Sequence, residues 1–129
     1  MIKKTIVESL EFSDLVDLFS LFDGASYWVD MMDFKDEDFI QAKKDLMFHE
    51  VSDDVICRED IWAMMLQNNC SFWFYDEEGE SYELNDAKLL KGLNLYFNSR
   101  NAKQEIEDMD AEDGDMILQY ALFGEVIYG

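Results

Sequence analysis

The chain has 129 residues, with 30 Asp and Glu against 10 Lys and Arg, a formal net charge of −20 and 49% apolar residues. An acidic surface of this density repels free nucleic acid, whose binding needs Lys and Arg to displace condensed counterions. The apolar content is too high for a disordered acidic chain, and no apolar stretch approaches the ~20 residues of a membrane helix. The expectation is a single compact domain over residues 1–129 in a soluble, cytoplasmic protein, with no direct nucleic-acid or membrane partner and no cofactor.

In chain order, Ile2, Thr5, Ile6 and Val7 suggest a short opening strand. Ser13 reads as a helix cap, followed by Leu15, Leu18, Phe19 and Phe22 at amphipathic spacing. Asp23-Gly24 should end that helix, with Gly24 in the left-handed conformation of a C-terminus. Ala25 to Val29 is apolar but too short to assign. Asp36, Glu37 and Asp38 place negative charge where a helix N-terminus favours it, and that helix runs to about Glu50. Ile61, Trp62, Met65 and Leu66 mark another helix from Arg58, which stops at Asn68-Asn69.

Ser71 to Tyr75, a turn at Asp76-Glu77-Glu78-Gly79, and Ser81 to Leu84 read as a β-hairpin over 71–84. Aromatic residues on both faces of its first strand predict a strand covered on both sides. Asn85 caps a helix with Leu89, Leu90, Leu93 and Phe97 along one face. Asp110 caps a last helix with Met116, Ile117, Tyr120 and Ala121 inward, closing at Gly124; Val126 to Tyr128 is a short strand or a packed tail. The fold class is α+β: a small antiparallel sheet with about five helices packed on it. Cys57 and Cys70, each beside an apolar run, read as two buried, reduced thiols.

No catalytic constellation is present, and the protein is not expected to be an enzyme. His49 has no second histidine at helical spacing, and no nucleophile elbow, P-loop or dinucleotide fingerprint occurs. Asp108 to Asp115 alternates carboxylates as a calcium loop does, but the required glycine falls on Asp113 and the bidentate Glu on Gln119, so no metal site is assigned.

The acids cluster instead. Residues 30–38 hold five, 76–83 hold five more with no base, and 105–115 hold seven with no base. Duplex DNA carries about one charge per 1.7 Å of axis, and a protein surface lined with Asp and Glu imitates that density. Glu105, Glu107, Asp108, Asp110, Glu112, Asp113 and Asp115 are the first candidates for contact with a partner, and Asp76, Glu77, Glu78 and Glu80 the second. Ten Phe, six Tyr and three Trp are generous for this length, and such residues favour interface centres, so a homodimer is the alternative partner.

Three stretches carry a family resemblance. Gly24-Ala25-Ser26-Tyr27-Trp28 resembles a Gly-x-x-Tyr-Trp element, the hairpin is followed by Leu89-Leu90-Lys91-Gly92-Leu93, and the ending runs from Asp110 to Gly129. Together they resemble short, acidic, functionally uncharacterised proteins encoded by phages and prophages of Gram-positive, often gut-dwelling, bacteria. Asp23 stands where a second glycine is common there, and the stretch from Phe34 to Val55 departs from the pattern. The resemblance implies a bacterial host cell as the setting and transfers no catalytic motif. With the charge, it leads to the expectation of a non-enzymatic inhibitor of anti-CRISPR or anti-restriction type, a nucleic-acid mimic that binds a basic nucleic-acid-binding protein. The alternative is an accessory or structural phage protein that associates with itself or another phage protein through aromatic and apolar surface.

Overall fold

A computed structural model describes residues 7–48 and 56–129. The hairpin forms where the sequence places it. In β2 (Phe72–Asp76) alternate side chains point inward, so Phe72, Phe74 and Asp76 are buried while Trp73 and Tyr75 are half-buried. Cover on the second face, expected to be full, is therefore partial. β3 (Ser81–Leu84) returns antiparallel and sets Leu84 opposite Phe72 and Tyr82 opposite Phe74.

The unassigned segment after Trp28 supplies the third strand. β1 (Val29–Asp33) pairs antiparallel with β2 on its other side, with a register break between Val29 and Met31, giving the order β1-β2-β3. None of its side chains is fully buried, so no alternation betrays it; hydrogen bonding to a strand whose paired residues lie 40–47 positions away makes it.

Among the described residues, five helices pack with this sheet in an α+β arrangement. In α1 (Phe12–Leu21) Leu15, Leu18 and Phe19 are buried as the spacing predicts. Its start differs from the expectation. Glu11 occupies the cap position without a side-chain bond, and Ser13 already lies inside the helix. The end differs too: the chain continues as a 3-10 helix (Phe22–Ala25) instead of stopping at a left-handed glycine. Gly24 is needed for space, since a Cβ there would stand 1.9 Å from the carbonyl oxygen of Ala111.

α2 (Asp36–Phe48) opens on Asp36, Glu37 and Asp38, and α3 (Arg58–Gln67) stops before Asn69, whose φ is 64°. In α4 (Asp86–Phe97) the Asn85 side chain accepts from the Lys88 N–H at 2.9 Å. α5 (Ala111–Phe123) starts in a reciprocal box, with Asp110 bonding the Asp113 N–H and Asp113 bonding the Asp110 N–H, and closes at Gly124 with φ 78°. Met116 and Tyr120, expected inward, are half-buried at its flanks, whereas Gly114, Ile117, Leu118, Gln119 and Ala121 face the interior.

α5 meets its neighbours at backbone distance. A Cβ on Gly114 would fall 2.2 Å from the Leu21 carbonyl oxygen, and one on Gly92 of α4 would fall 2.5 Å from the Ala121 nitrogen. These two glycines let α1 and α4 close onto α5, which a methyl group would force apart. Between α1, α3 and the sheet the filling is aromatic. The Phe19 ring lies 5.2 Å from Phe72 and 5.5 Å from Trp62, and Phe22 meets Phe74 edge-on.

The segment before α1 is not a strand at Val7. There the Asn94 side chain substitutes for one, accepting from the Val7 N–H at 2.8 Å and donating to its carbonyl at 2.9 Å. Ile2, Thr5, Ile6, His49 and Glu50 lie outside the described residues. The C-terminal segment is the packed tail. The Gln119 amide oxygen accepts from the N–H groups of Ile127 and Tyr128, both at 2.8 Å, and the Tyr128 ring stacks on Trp28 at 4.6 Å.

One expectation about the cysteines is corrected: Cys57 is exposed and Cys70 only half-buried, both as free thiols. Cys57 sits at the start of α3, where Asp60 must reach back to its N–H at 3.0 Å, and that position faces water. The same Asp60 carboxylate pushes the Cys57 thiol above its ordinary pKa, so exposure there does not produce a reactive thiolate.

Candidate functional site

Eleven carboxylates were candidates for partner contact, and their positions divide them. Eight are exposed: Glu77, Glu78, Glu80, Glu105, Glu107, Asp108, Asp110 and Glu112. Asp76, Asp113 and Asp115 are buried, and their oxygens are occupied within the fold. An ionised carboxylate taken out of water needs several donors to compensate its lost hydration. Each of the three has them.

Asp76 ends the inward row of β2 and accepts from the N–H groups of Glu78 at 2.9 Å and Glu80 at 3.0 Å. Tyr82 donates to its other oxygen at 3.0 Å, and Tyr128 at 3.4 Å. Burial pushes this carboxyl up, but those four donors together hold it below the ordinary aspartate value. Asp76 thus closes the hairpin turn from inside.

Asp113 accepts from the Tyr96 hydroxyl at 2.8 Å, from the Asp110 N–H at 2.9 Å and from the Lys103 ammonium. Burial again opposes ionisation, and the Lys103 ammonium leads the donors that outweigh it, leaving the carboxyl below its ordinary value. The hydrogen bond to Asp113 in turn raises the Lys103 ammonium above its own. The acidic stretch that reads as free of bases over 105–115 therefore has a compensating cation two residues before it.

Asp115 accepts from the Trp28 indole N–H and the Tyr27 hydroxyl, both at 2.7 Å, and from the Gln119 amide at 2.9 Å. It ties the 3-10 helix and the strand entry to α5, and through Gln119 it is joined to the C-terminal tail. The Tyr27 hydroxyl is pushed up to about 12, first by loss of water around it and then by this carboxylate.

Periodicity carries a signal for two of these three. Asp76 shares the every-second-residue row of Phe72 and Phe74, and Asp115 sits three and four residues before Leu118 and Gln119 on the buried face of α5. Reading the stretches as charge runs hid both placements.

The outward carboxylates border different clefts. Glu105 and Glu107 share a groove of about 330 Å³ with Asp14 and Asp17 of α1, over Val7, Leu93, Phe97 and Ile106. Asp14 and Asp17 were not candidates, and only the docking of the Ile106–Asp108 3-10 helix near α1 brings them in. On another part of the surface, Glu112 borders a cleft of about 580 Å³ containing Tyr27 and Tyr128. The same two tyrosines line a cleft of about 270 Å³ with Trp28, Asp76, Glu77 and Glu78. The clefts bordered by the two acidic segments thus share Tyr27 and Tyr128. Asp108, Asp110 and Glu80 are exposed but line none of these clefts.

Among the described residues no group of three or more His, Cys, Asp or Glu is arranged to hold a metal ion, and no helix is long and apolar enough to cross a membrane. No family model, curated protein or solved structure matches this chain.

Proposed function

We propose that the protein is a non-enzymatic inhibitor or modulator of a basic, nucleic-acid-handling protein in a bacterial host, of the anti-CRISPR or anti-restriction type. Its outward carboxylates would stand where the partner's Lys and Arg side chains otherwise meet phosphates. The observation that carries this reading is the set of eight exposed carboxylates in segments 76–80 and 105–112, drawn from stretches that contain no Lys or Arg over residues 59–87 and 104–129. Such crowding destabilises the isolated protein by self-repulsion, so a basic partner is what would relieve it. Attraction of this kind accelerates encounter and is screened within ~8 Å at physiological salt.

The test is capture from host lysate at low and high salt, followed by competition against labelled DNA or RNA on the captured protein. Wild-type chain should displace the nucleic acid in a salt-sensitive manner. Charge reversal belongs on outward positions, since Asp113 and Asp115 hold the fold together. Glu105→Lys with Glu107→Lys should slow association at least about tenfold and change dissociation little. Displacement that is equal for both proteins, or absent for both, sinks the mimicry. Salt-resistant capture of the chain by itself or by a phage protein would put the structural-protein reading in its place.

A further inference from the structure

The cleft of about 270 Å³ between the hairpin turn and the Tyr27–Trp28 segment is bordered by two kinds of residue. Its lining is half aromatic, from Tyr27, Trp28 and Tyr128, and half acidic, from Asp76, Glu77 and Glu78. We propose that it is a receptor for a single arginine side chain of the protein partner, whose guanidinium lies against the tyrosine rings and pairs with Glu77 and Glu78.

Size and composition agree on such a guest. The volume is below the ~300–1,000 Å³ of pockets that enclose a drug-sized ligand, and suits one side chain. A hard metal cation would want six or more oxygen ligands, whereas much of this lining is ring. A planar, weakly hydrated organic cation gains from both halves of the lining, by stacking on an aromatic face and by forked hydrogen bonds to carboxylate.

The rings are prepared for a cation. Tyr27 is 51% exposed although its hydroxyl is fixed at 2.7 Å on Asp115, and the Tyr128 hydroxyl donates to Asp76. A phenol that donates to a carboxylate gains electron density in its ring, which strengthens its attraction for a cation. Tyr128 is held in place by stacking on Trp28 and by the Gln119 amide on its backbone N–H, so little ordering remains for binding to impose.

The charge at the rim is unspent. Glu77 and Glu78 are exposed and belong to none of the ion pairs among the described residues, which involve Arg58 with Glu59 and Lys103 with Asp110 and Asp113. The Asp76 oxygens are occupied, yet that carboxylate keeps its negative charge. Among the described residues no base is paired with Glu77 or Glu78, so the field in the cleft favours a cation.

This inference rests on the reading that the partner is basic, but it is tested on the isolated full chain. Nα-acetyl-arginine amide is titrated into the 15N-labelled protein at moderate salt, with Nα-acetyl-lysine amide as the comparison. Saturable shifts confined to Tyr27, Glu77, Glu78, Tyr128 and the Trp28 indole are expected, with the lysine compound weaker by about threefold or more. Glu77→Gln with Glu78→Gln, both at exposed positions, should leave the melting temperature nearly unchanged and weaken arginine binding about fivefold or more. Tyr27→Leu, read only if it still melts cooperatively, should weaken it similarly. Shifts spread over the whole acidic surface without saturation, equal response to lysine, or unchanged binding in the Gln variant each overturn the proposal. Failure of the whole-protein reading is recognised separately, by the nucleic-acid competition on the captured partner.

Discussion

The hairpin turn at 76–80 and the stretch at 105–115 are both runs of acids, yet they reach different balances. In the first, only Asp76 turns inward, backbone and tyrosine donors satisfy it, and no base stands nearby in sequence. In the second, Asp113 and Asp115 turn inward, and Lys103 reaches Asp113 as an ammonium inside the same network. Each buried Asp has a tyrosine hydroxyl among its donors: Tyr82 and Tyr128 for Asp76, Tyr96 for Asp113, Tyr27 for Asp115. Acids adjacent in sequence thus fall into two groups, one that holds elements together and one that charges the surface, with exposed Asp110 in both because it caps α5.

The sharpest way to break this division is Asp115→Ala. It strands the Trp28 indole N–H and one N–H of the Gln119 amide in the interior and releases Tyr27, at a cost of about 2–5 kcal/mol by the usual penalty for orphaned buried donors. Denaturant unfolding should show the loss as a lower midpoint. If Asp115→Ala unfolds where the parent does, the inward group has no structural role and the comparison collapses.

Acid titration separates the two inward networks from the surface. Asp76 and Asp113 have carboxyl groups held below the ordinary value, so the unfolded chain binds more protons than the native one as pH falls. Their contribution is complete above about pH 4, the ordinary aspartate range, and is lost as pH falls through the lower native values. Lys103 works in the opposite sense: its raised ammonium contributes fully below about pH 10 and the contribution fades as pH rises through the native value. Asp113→Asn should lower stability at neutral pH and flatten both limbs of melting temperature against pH. Limbs as steep in Asp113→Asn as in the parent would show that the Lys103–Asp113 pair is not what titrates.

The smallest effect belongs to the outward group. Glu105→Gln with Glu107→Gln removes two of the four carboxylates around the α1 groove, and should shift stability by no more than about 0.5 kcal/mol, towards greater stability at low salt. A marked loss on thermal melting would place these two glutamates in the structural group.

Much of the framework was legible in the sequence because it rests on local rules. The hairpin followed from an aromatic run, a Gly-containing turn and a second short run, the α4 and α5 starts from Asn85 and Asp110, and the α5 end from Gly124. Apolar spacing likewise marked the buried faces of α1 and α3, where Leu15, Leu18 and Leu66 sit. What the sequence could not supply is held by distant partners. β1 exists through pairing with β2, and Val7 is clasped by the side chain of Asn94. Gly24 serves a close approach to Ala111 that no local pattern announces, which is why a helix-ending role fitted it equally well. The net charge and its clustering were fixed by the sequence, whereas which carboxylates point outward depended on how α5 and the hairpin turn pack. Burial is decided by the whole fold, and an Asp enters the interior only where tyrosine, indole, amide or ammonium donors from other segments converge on it.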